Sequence, residues 1–311
     1  MGANDPIRTT TTPMSDALVA AITQAWELTL ADRTAGGVLA NPALAAGFLG
    51  GGRLGALGKK VVFVGYGADK LVTTAEGTDL TVYTVSSSAA TVTPARKGLA
   101  RQVSDMSRMF DEWGITEWAE FVRDSTWAWQ QTVLDTIAAL FASFSASGGG
   151  TGAAMTVAKL LAARNTLGIA NVPPPYCYVC QPKTWAEVCT DGLSLGGAFA
   201  NDAKTLELQA SPNPGYKGRY LQDIDVYTSS EVDVSGADYI SGIFGAQAIA
   251  WDAIMPAKPS PNCTPILWSP LFAVETQRIV LKGEDYVATS SHIGASIGIN
   301  AAGVKVLSVV A

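Results

Sequence analysis

TEWAEFVRDSTWAWQQTVLDTIAALFASFSA, residues 116–146, is the clearest element in the chain. Trp118, Val122, Ser125, Trp129, Val133, Thr136, Leu140 and Phe144 recur at steps of three or four, which lines them along one helical face. Thr116 can cap the first turn, and Glu117 suits the positive end of the helix dipole. Ser147, followed by Gly148-Gly149-Gly150, stops the pattern. The first half has a polar back of Glu120, Arg123, Asp124 and Gln130. From Val133 onward the stretch is apolar nearly all round and must be buried. At this length the helix would run ~46 Å, against a usual mean of about 11–12 residues. It reads as a backbone element that spans its domain.

On the N-terminal side, residues 1–58 look like an arm. Thr9-Thr10-Thr11-Thr12-Pro13 is extended or disordered, Asp16 to Leu30 has the spacing of an amphipathic helix, and Gly50-Gly51-Gly52 is a flexible joint. From Lys60 to about Asp105 the pattern changes to short β segments: Val61 to Val64, Leu80 to Val85 and Ala90 to Thr93. These have little apolar material of their own, so a hairpin built from them needs a neighbour to lie on. On the C-terminal side, Val157 to Leu167 is a second helix and Tyr176 to Cys180 a buried strand. Pro182 sits where a first helical residue tolerates proline, and Gly192 ends the short helix that follows. Residues 193–222 read as loop, Ile224 to Tyr227 as a strand, and Gly242 to Ile254 as a mixed apolar segment. The tail offers strands at Thr276 to Lys282, Ser296 to Asn300 and Val304 to Val310, with turns at Lys282 to Asp285 and Ala301 to Gly303. Such an order is α+β and not an alternating parallel fold.

Apolar residues make up 48% of the 311 and charged residues 15%, below the roughly 25% of an average soluble domain. Sparse charge suits a subunit whose surface is largely interface, and it also suits a secreted β-rich protein. The net charge of −6 argues against a protein that grips nucleic acid regardless of sequence, which needs a basic footprint. Met1 to Thr12 lacks the apolar core of a secretory signal, and Ile137 to Phe144 is far short of a membrane span of about 20 residues. The expectation is a soluble protein in a reducing compartment, where its four cysteines need not pair.

Residues capable of chemistry are few. His292, the sole histidine, lies beside a strand, and no Gly-x-Ser-x-Gly accompanies it. It reads as a surface or edge histidine. Cys177 and Cys180 have Cys-x-x-Cys spacing, which zinc or redox chemistry can use. On a strand, however, residues three apart face opposite ways. Cys189 falls on an apolar helical stripe with Trp185 and Val188, and Cys263 stands alone. Gly52 to Lys59 departs from a phosphate loop by one residue, with Lys60 where the metal-binding hydroxyl belongs, so a hinge is the better reading. Asp111-Glu112 precede the long helix and serve its dipole. Trp113, Trp118, Trp127 and Trp129 lack the interleaved basic residues of a base-stacking platform and read as core or subunit packing. The expectation is no catalytic, cofactor-binding or metal residue, and no cofactor.

The order of these elements resembles the major capsid protein of tailed bacteriophages, the Hong Kong 97-type fold. Glu76 to Asp79, Val92 to Gly98 and Gln102 to Asp105 resemble that family's extended E-loop and its return into the body. Residues 116–146 resemble its spine helix. Lys159 to Leu167, Asn171 to Pro173 and Tyr176 to Pro182 resemble the passage into its axial domain. Ile224 to Ser229 and Gly245 to Ile249 resemble that domain's later strand and helix. Arg278 to Lys282, Asp285-Tyr286, His292 to Asn300 and Gly303 to Val306 resemble its closing peripheral strands.

The resemblance implies an N-terminal arm at 1–58, an E-loop at 59–107 and a peripheral domain at 108–168. It also implies an axial domain at 169–269 and a return to the peripheral domain at 270–311. It implies a head protein that self-assembles into pentamers and hexamers of an icosahedral shell around double-stranded DNA, without binding that DNA by sequence. Scaffolding, portal and decoration proteins would be partners, with no membrane. The place would be the virion, assembled in the host bacterial cytoplasm. Some members of the family cross-link subunits through Lys and Asn side chains, and no such pair aligns here. Two rivals stand beside this reading: an encapsulin-like compartment packaging a cargo enzyme, and an enzyme or β-rich adhesin with an unrecognised site.

Overall fold

The computed structural model describes residues 41–49, 59–64, 87–104, 114–197, 216–254, 264–268, 273–279, 282 and 284–310. The expected arm helix at Asp16 to Leu30, the glycine joint at 50–52 and the strand at Leu80 to Val85 lie outside them.

The long helix, α2 (Gly114–Ala138), follows a short arm helix, α1 (Pro42–Gly47). Ser125, Trp129 and Val133 are buried along α2, as the periodicity requires, and Phe121, Leu134 and Ile137 are buried beside them, while Thr136 is only half-buried. Gln130, expected on the polar back, is buried as well, because the strands close over that side too. Contrary to the sequence expectation, the helix stops at Ala138 instead of continuing to Ala146. Phe141–Ser143 forms a 3-10 turn, and the glycine run becomes a strand, β4 (Ala146–Gly149). No glycine or proline lies between 139 and 145 to signal this break. Its cause is tertiary: Asn300 accepts a hydrogen bond from the Ser145 amide at 2.8 Å and donates one to the Ser143 carbonyl at 3.1 Å. Those contacts hold the exit while Phe141 and Phe144 turn down onto a sheet.

That sheet has seven strands. Its main path runs β4, β14 (Gly303–Val309), β9 (Asp238–Phe244), β5 (Tyr176–Cys180), β7 (Ile224–Thr228) and β6 (Tyr216–Tyr220), with β8 (Val234–Ser235) beside β9. Helices α3 (Val157–Ile169) and α4 (Pro182–Leu195) follow the sequence reading closely. Thr156 caps α3 and Pro182 opens α4. Helix α4 runs three residues past Gly192 to Leu195. Strand β6 falls inside the stretch read as loop, where Gly218 marks a register shift and hides the alternation.

A second sheet of five strands is organised by β13 (Glu284–Ile297), whose 14 residues reach about 47 Å. One edge of β13 pairs with β3 (Ala95–Ser104) over ten residues. The other is shared between β12 (Ala273–Ile279) and β10 (Ile249–Ile254). Strand β11 (Thr264–Trp268) follows β12 at the margin. Of the expected tail strand at Ser296 to Asn300, only Ser296 and Ile297 are strand, as the end of a much longer one, and Asn300 instead opens a 3-10 turn (Asn300–Ala302). No apolar alternation marks the middle of that strand: Thr289, Ser290 and Ser291 are buried between neighbours, and by composition they are too polar for a core strand.

The two sheets are joined where β9 passes into β10 and β13 passes towards β14. Gly298 donates to the Ala248 carbonyl at 2.8 Å, Ile299 to that of Gln247 at 2.9 Å, and Gly245 to that of Ala302 at 3.0 Å. The mixed segment at 242–254 is two strands and a turn with Gln247 at φ 64°, so the helix expected at Gly245 to Ile249 is replaced by that turn. A separate hairpin of β1 (Lys59–Val64) and β2 (Ser87–Val92) leans on this junction through Ala90 and Val92, which pack with Ala250.

Phe141 and Phe144 rest on positions that carry no side chain. A Cβ on Gly242 would lie 2.5 Å from the Phe141 ring, and one on Gly303 would enter the Phe144 ring. Gly242→Ala is expected to destabilise the subunit by about 1–3 kcal/mol, the usual penalty of overpacking. Adding Phe141→Leu should recover part of that loss, because the two sites share one contact. Urea unfolding of the single and double variants measures both effects.

Candidate functional site

Strand β5 positions two of the cysteines and α4 a third. Cys177 is level with Asp225 of β7 and Phe244 of β9, while Cys180 lies near Cys189 of α4. All three are free thiols and fully enclosed. Burial pushes the thiols of Cys177 and Cys180 well up from their ordinary range, so they stay protonated and weakly nucleophilic. Tyr178 and Tyr227 are likewise raised by burial and stay neutral. Among the described residues, no three of His, Cys, Asp and Glu gather closely enough to hold a metal ion. Cys263 lies outside the described residues.

His292 is not on a sheet edge as expected. It sits within β13, level with Arg96 of β3 on one side and Ile254 of β10 on the other. It is half-buried, and its Nδ1 is enclosed without a hydrogen-bond partner among the described residues. Of the glycine-rich hinge, only Lys59 is described, at the start of β1 and level with Val92. Of the four tryptophans, Trp129 is core and Trp127 is 46% exposed. Trp113 lies outside the described residues.

The densest polar arrangement was invisible in sequence. Asp225, 2% exposed, accepts hydrogen bonds from Arg219 (2.8 and 3.1 Å), from Asn41 Nδ2 (2.8 Å) and from the Tyr216 hydroxyl (3.4 Å). Asn41 Oδ1 meanwhile accepts from the Leu44 amide and caps α1. The Trp251 indole donates to the Leu44 carbonyl at 2.7 Å, and Phe48 stacks at a tilt on the same indole. Gly47 lies so close to the Ile249 carbonyl that no side chain fits there. These contacts clamp residues 41–49 across both sheets. A partner 184 positions away leaves no local signal. The clamp satisfies a buried carboxylate.

The cavity between α2 and strands β3 and β13, about 210 Å³, is walled by Ser125, Trp129, Thr132, Leu99 and Thr289, with Lys97 as a charged member. Elsewhere, exposed apolar side chains stand at Ile169, at Leu193 and Leu195, at Val234, and at Leu99 and Trp127. Among the described residues no helix is long and apolar enough to cross a membrane.

No family model and no curated protein matches the sequence. Solved structures do. A chain of Mycobacterium phage Che8 is similar at 13% identity, over 81% of this chain and 85% of that one, with a TM-score of 0.50. The acid-stable capsid of Helicobacter pylori bacteriophage KHP30 is similar at 12% identity, over 86% of this chain and 90% of that one, also at 0.50. At such identities the likeness establishes the fold: this chain has the fold of phage capsid structures.

Burial makes a direct prediction for the thiols. Alkylation of the native protein, mapped by peptide mass spectrometry, should leave Cys177, Cys180 and Cys189 unmodified, and unfolding in denaturant should expose all three. Rapid native labelling of the Cys177–Cys180 pair would contradict the packing described for β5.

Proposed function

We propose that this protein is the major capsid protein of a tailed bacteriophage, a structural subunit whose work is assembly. The observation that carries the reading is the shared fold over 86% of the chain with a capsid of known structure. Further support comes from composition, since charge is sparse and apolar side chains remain exposed at several places. On this reading subunits join head to tail, each presenting two different faces, and the rotation closes into pentamers and hexamers. Those build an icosahedral shell around double-stranded DNA. An acidic chain of net charge −6 suits a wall that encloses DNA without gripping it.

The proposed division is an arm at 1–58, an E-loop at 59–107, a peripheral domain at 108–168 and 270–311, and an axial domain at 169–269. The hairpin of β1 and β2 has little core of its own, which fits a loop that lies across a neighbour. The arm would reach under another subunit, with residues 41–49 as its anchor on the body. Portal and scaffolding proteins, and in some shells a decoration protein, would be its partners. Its place would be the virion, after assembly in the host bacterial cytoplasm.

The test is a deletion placed by the fold. Strand β3 lies within the proposed E-loop yet supplies ten paired residues to the five-stranded sheet, so it must stay. Removing only residues 65–86 should leave a subunit with native circular dichroism and a cooperative melt that forms no shells. Normal shells from that deletion would overturn the assignment of the loop to intersubunit contact.

A further inference from the structure

One cleft on the body sets two carboxylates beside an exposed tryptophan. It lies where the outer face of α2 meets the end of β7 and the start of α4, and its volume is about 460 Å³. Trp127 forms one wall and is 46% exposed, a large apolar surface left to solvent. Asp135, two turns further along α2, and Glu231, just past β7, put two carboxylates on the same cleft. Asp135 accepts a hydrogen bond from the Ser229 hydroxyl, the Glu231 backbone amide donates to that same oxygen at 3.2 Å, and the Glu231 carboxylate accepts from the Ser230 hydroxyl at 3.4 Å. Among the described residues neither forms an ion pair. Burial and the neighbouring Glu231 charge raise the Asp135 carboxyl from its ordinary value, and the Ser229 hydroxyl and the exposed Lys97 only partly offset them.

We propose that this cleft receives a lysine or arginine side chain from a second copy of this chain, with the aliphatic stem or charged head against Trp127 and the charge facing Asp135 and Glu231. An aromatic face beside two carboxylates is the environment a cation prefers, since ring quadrupole and negative charge act together. The same chain carries the complement: Arg96 and Lys282 are exposed and, among the described residues, form no ion pair. A neighbour of the same sequence therefore brings the charge the cleft lacks, in the head-to-tail manner that ring closure requires. This inference rests on the capsid reading and names one of its contacts.

Hydroxyl-radical footprinting compares dissociated subunits with assembled shells of the unaltered protein, so no variant has to fold. Trp127 oxidation is expected to fall at least about fivefold on assembly, as a residue passing from half-exposed to enclosed. In parallel, the double variant Asp135→Asn, Glu231→Gln should raise the subunit concentration needed for assembly about tenfold or more, with an unchanged melting curve. Equal Trp127 oxidation in subunits and shells would overturn the proposal and leave the capsid reading standing; a decoration or other foreign protein on the cleft would give that result. Protection of Trp127 with unchanged assembly of the double variant would overturn the cationic occupant. If the unaltered protein formed no shells under any condition, the capsid reading would fall, and this inference with it.

Discussion

Two phenylalanine rings lying on two glycines fix the rest of the molecule. Phe141 covers Gly242 of β9, and Phe144 covers Gly303 at the start of β14, so the exit of the long helix is seated on the very strands that link the two sheets. Neither strand could carry a side chain there without displacing a ring. The contact sets where α2 must stop, how deeply it lies, and in which direction β4 leaves. Interiors this close-packed transmit such constraints, because a ring that cannot sink or rise obliges its neighbours to fit around it.

From that seat the remaining architecture follows. With the helix exit pinned, β4 runs parallel to β14 beneath α3, where Gly148 leaves room for Ala163, 3.0 Å from where a Cβ would stand. The strands β9 and β14 continue across the junction into β10 and β13, and the backbone hydrogen bonds between Gly298 and Ala248 and between Ile299 and Gln247 keep both crossings together. The arm segment then closes over the junction, with Asn41 reaching Asp225 in one sheet and Leu44 and Phe48 meeting Trp251 in the other.

The sequence was most legible where local chemistry decides. The face of α2 through Ser125, Trp129 and Val133, the start of α3 at Val157, the Pro182 start of α4 and the buried strand at Tyr176 to Cys180 each follow from spacing, helix-start chemistry or apolar runs. It was least legible where distant residues decide. Nothing between Leu140 and Ser145 announces the end of the helix, because Asn300 enforces it from the far end of the chain. The central run of β13 looked unlike core because Thr289, Ser290 and Ser291 are buried by flanking strands and not by their own hydrophobicity. The Asp225 clamp joins residues whose sequence neighbours carry no distinguishing pattern, so only the fold brings them together. The cleft at Trp127 was half visible: its tryptophan stood out as a packing residue, but Glu231 reaches it only through the path of β7.

Electron microscopy of the protein expressed alone, with size-exclusion chromatography of the same sample, bears most directly on the claim that assembly is its function. The account predicts closed icosahedral shells or discrete pentamers and hexamers. A stable monomer of 32.3 kDa, persisting when the chain is concentrated and when it is produced together with the products of its neighbouring genes, would contradict it.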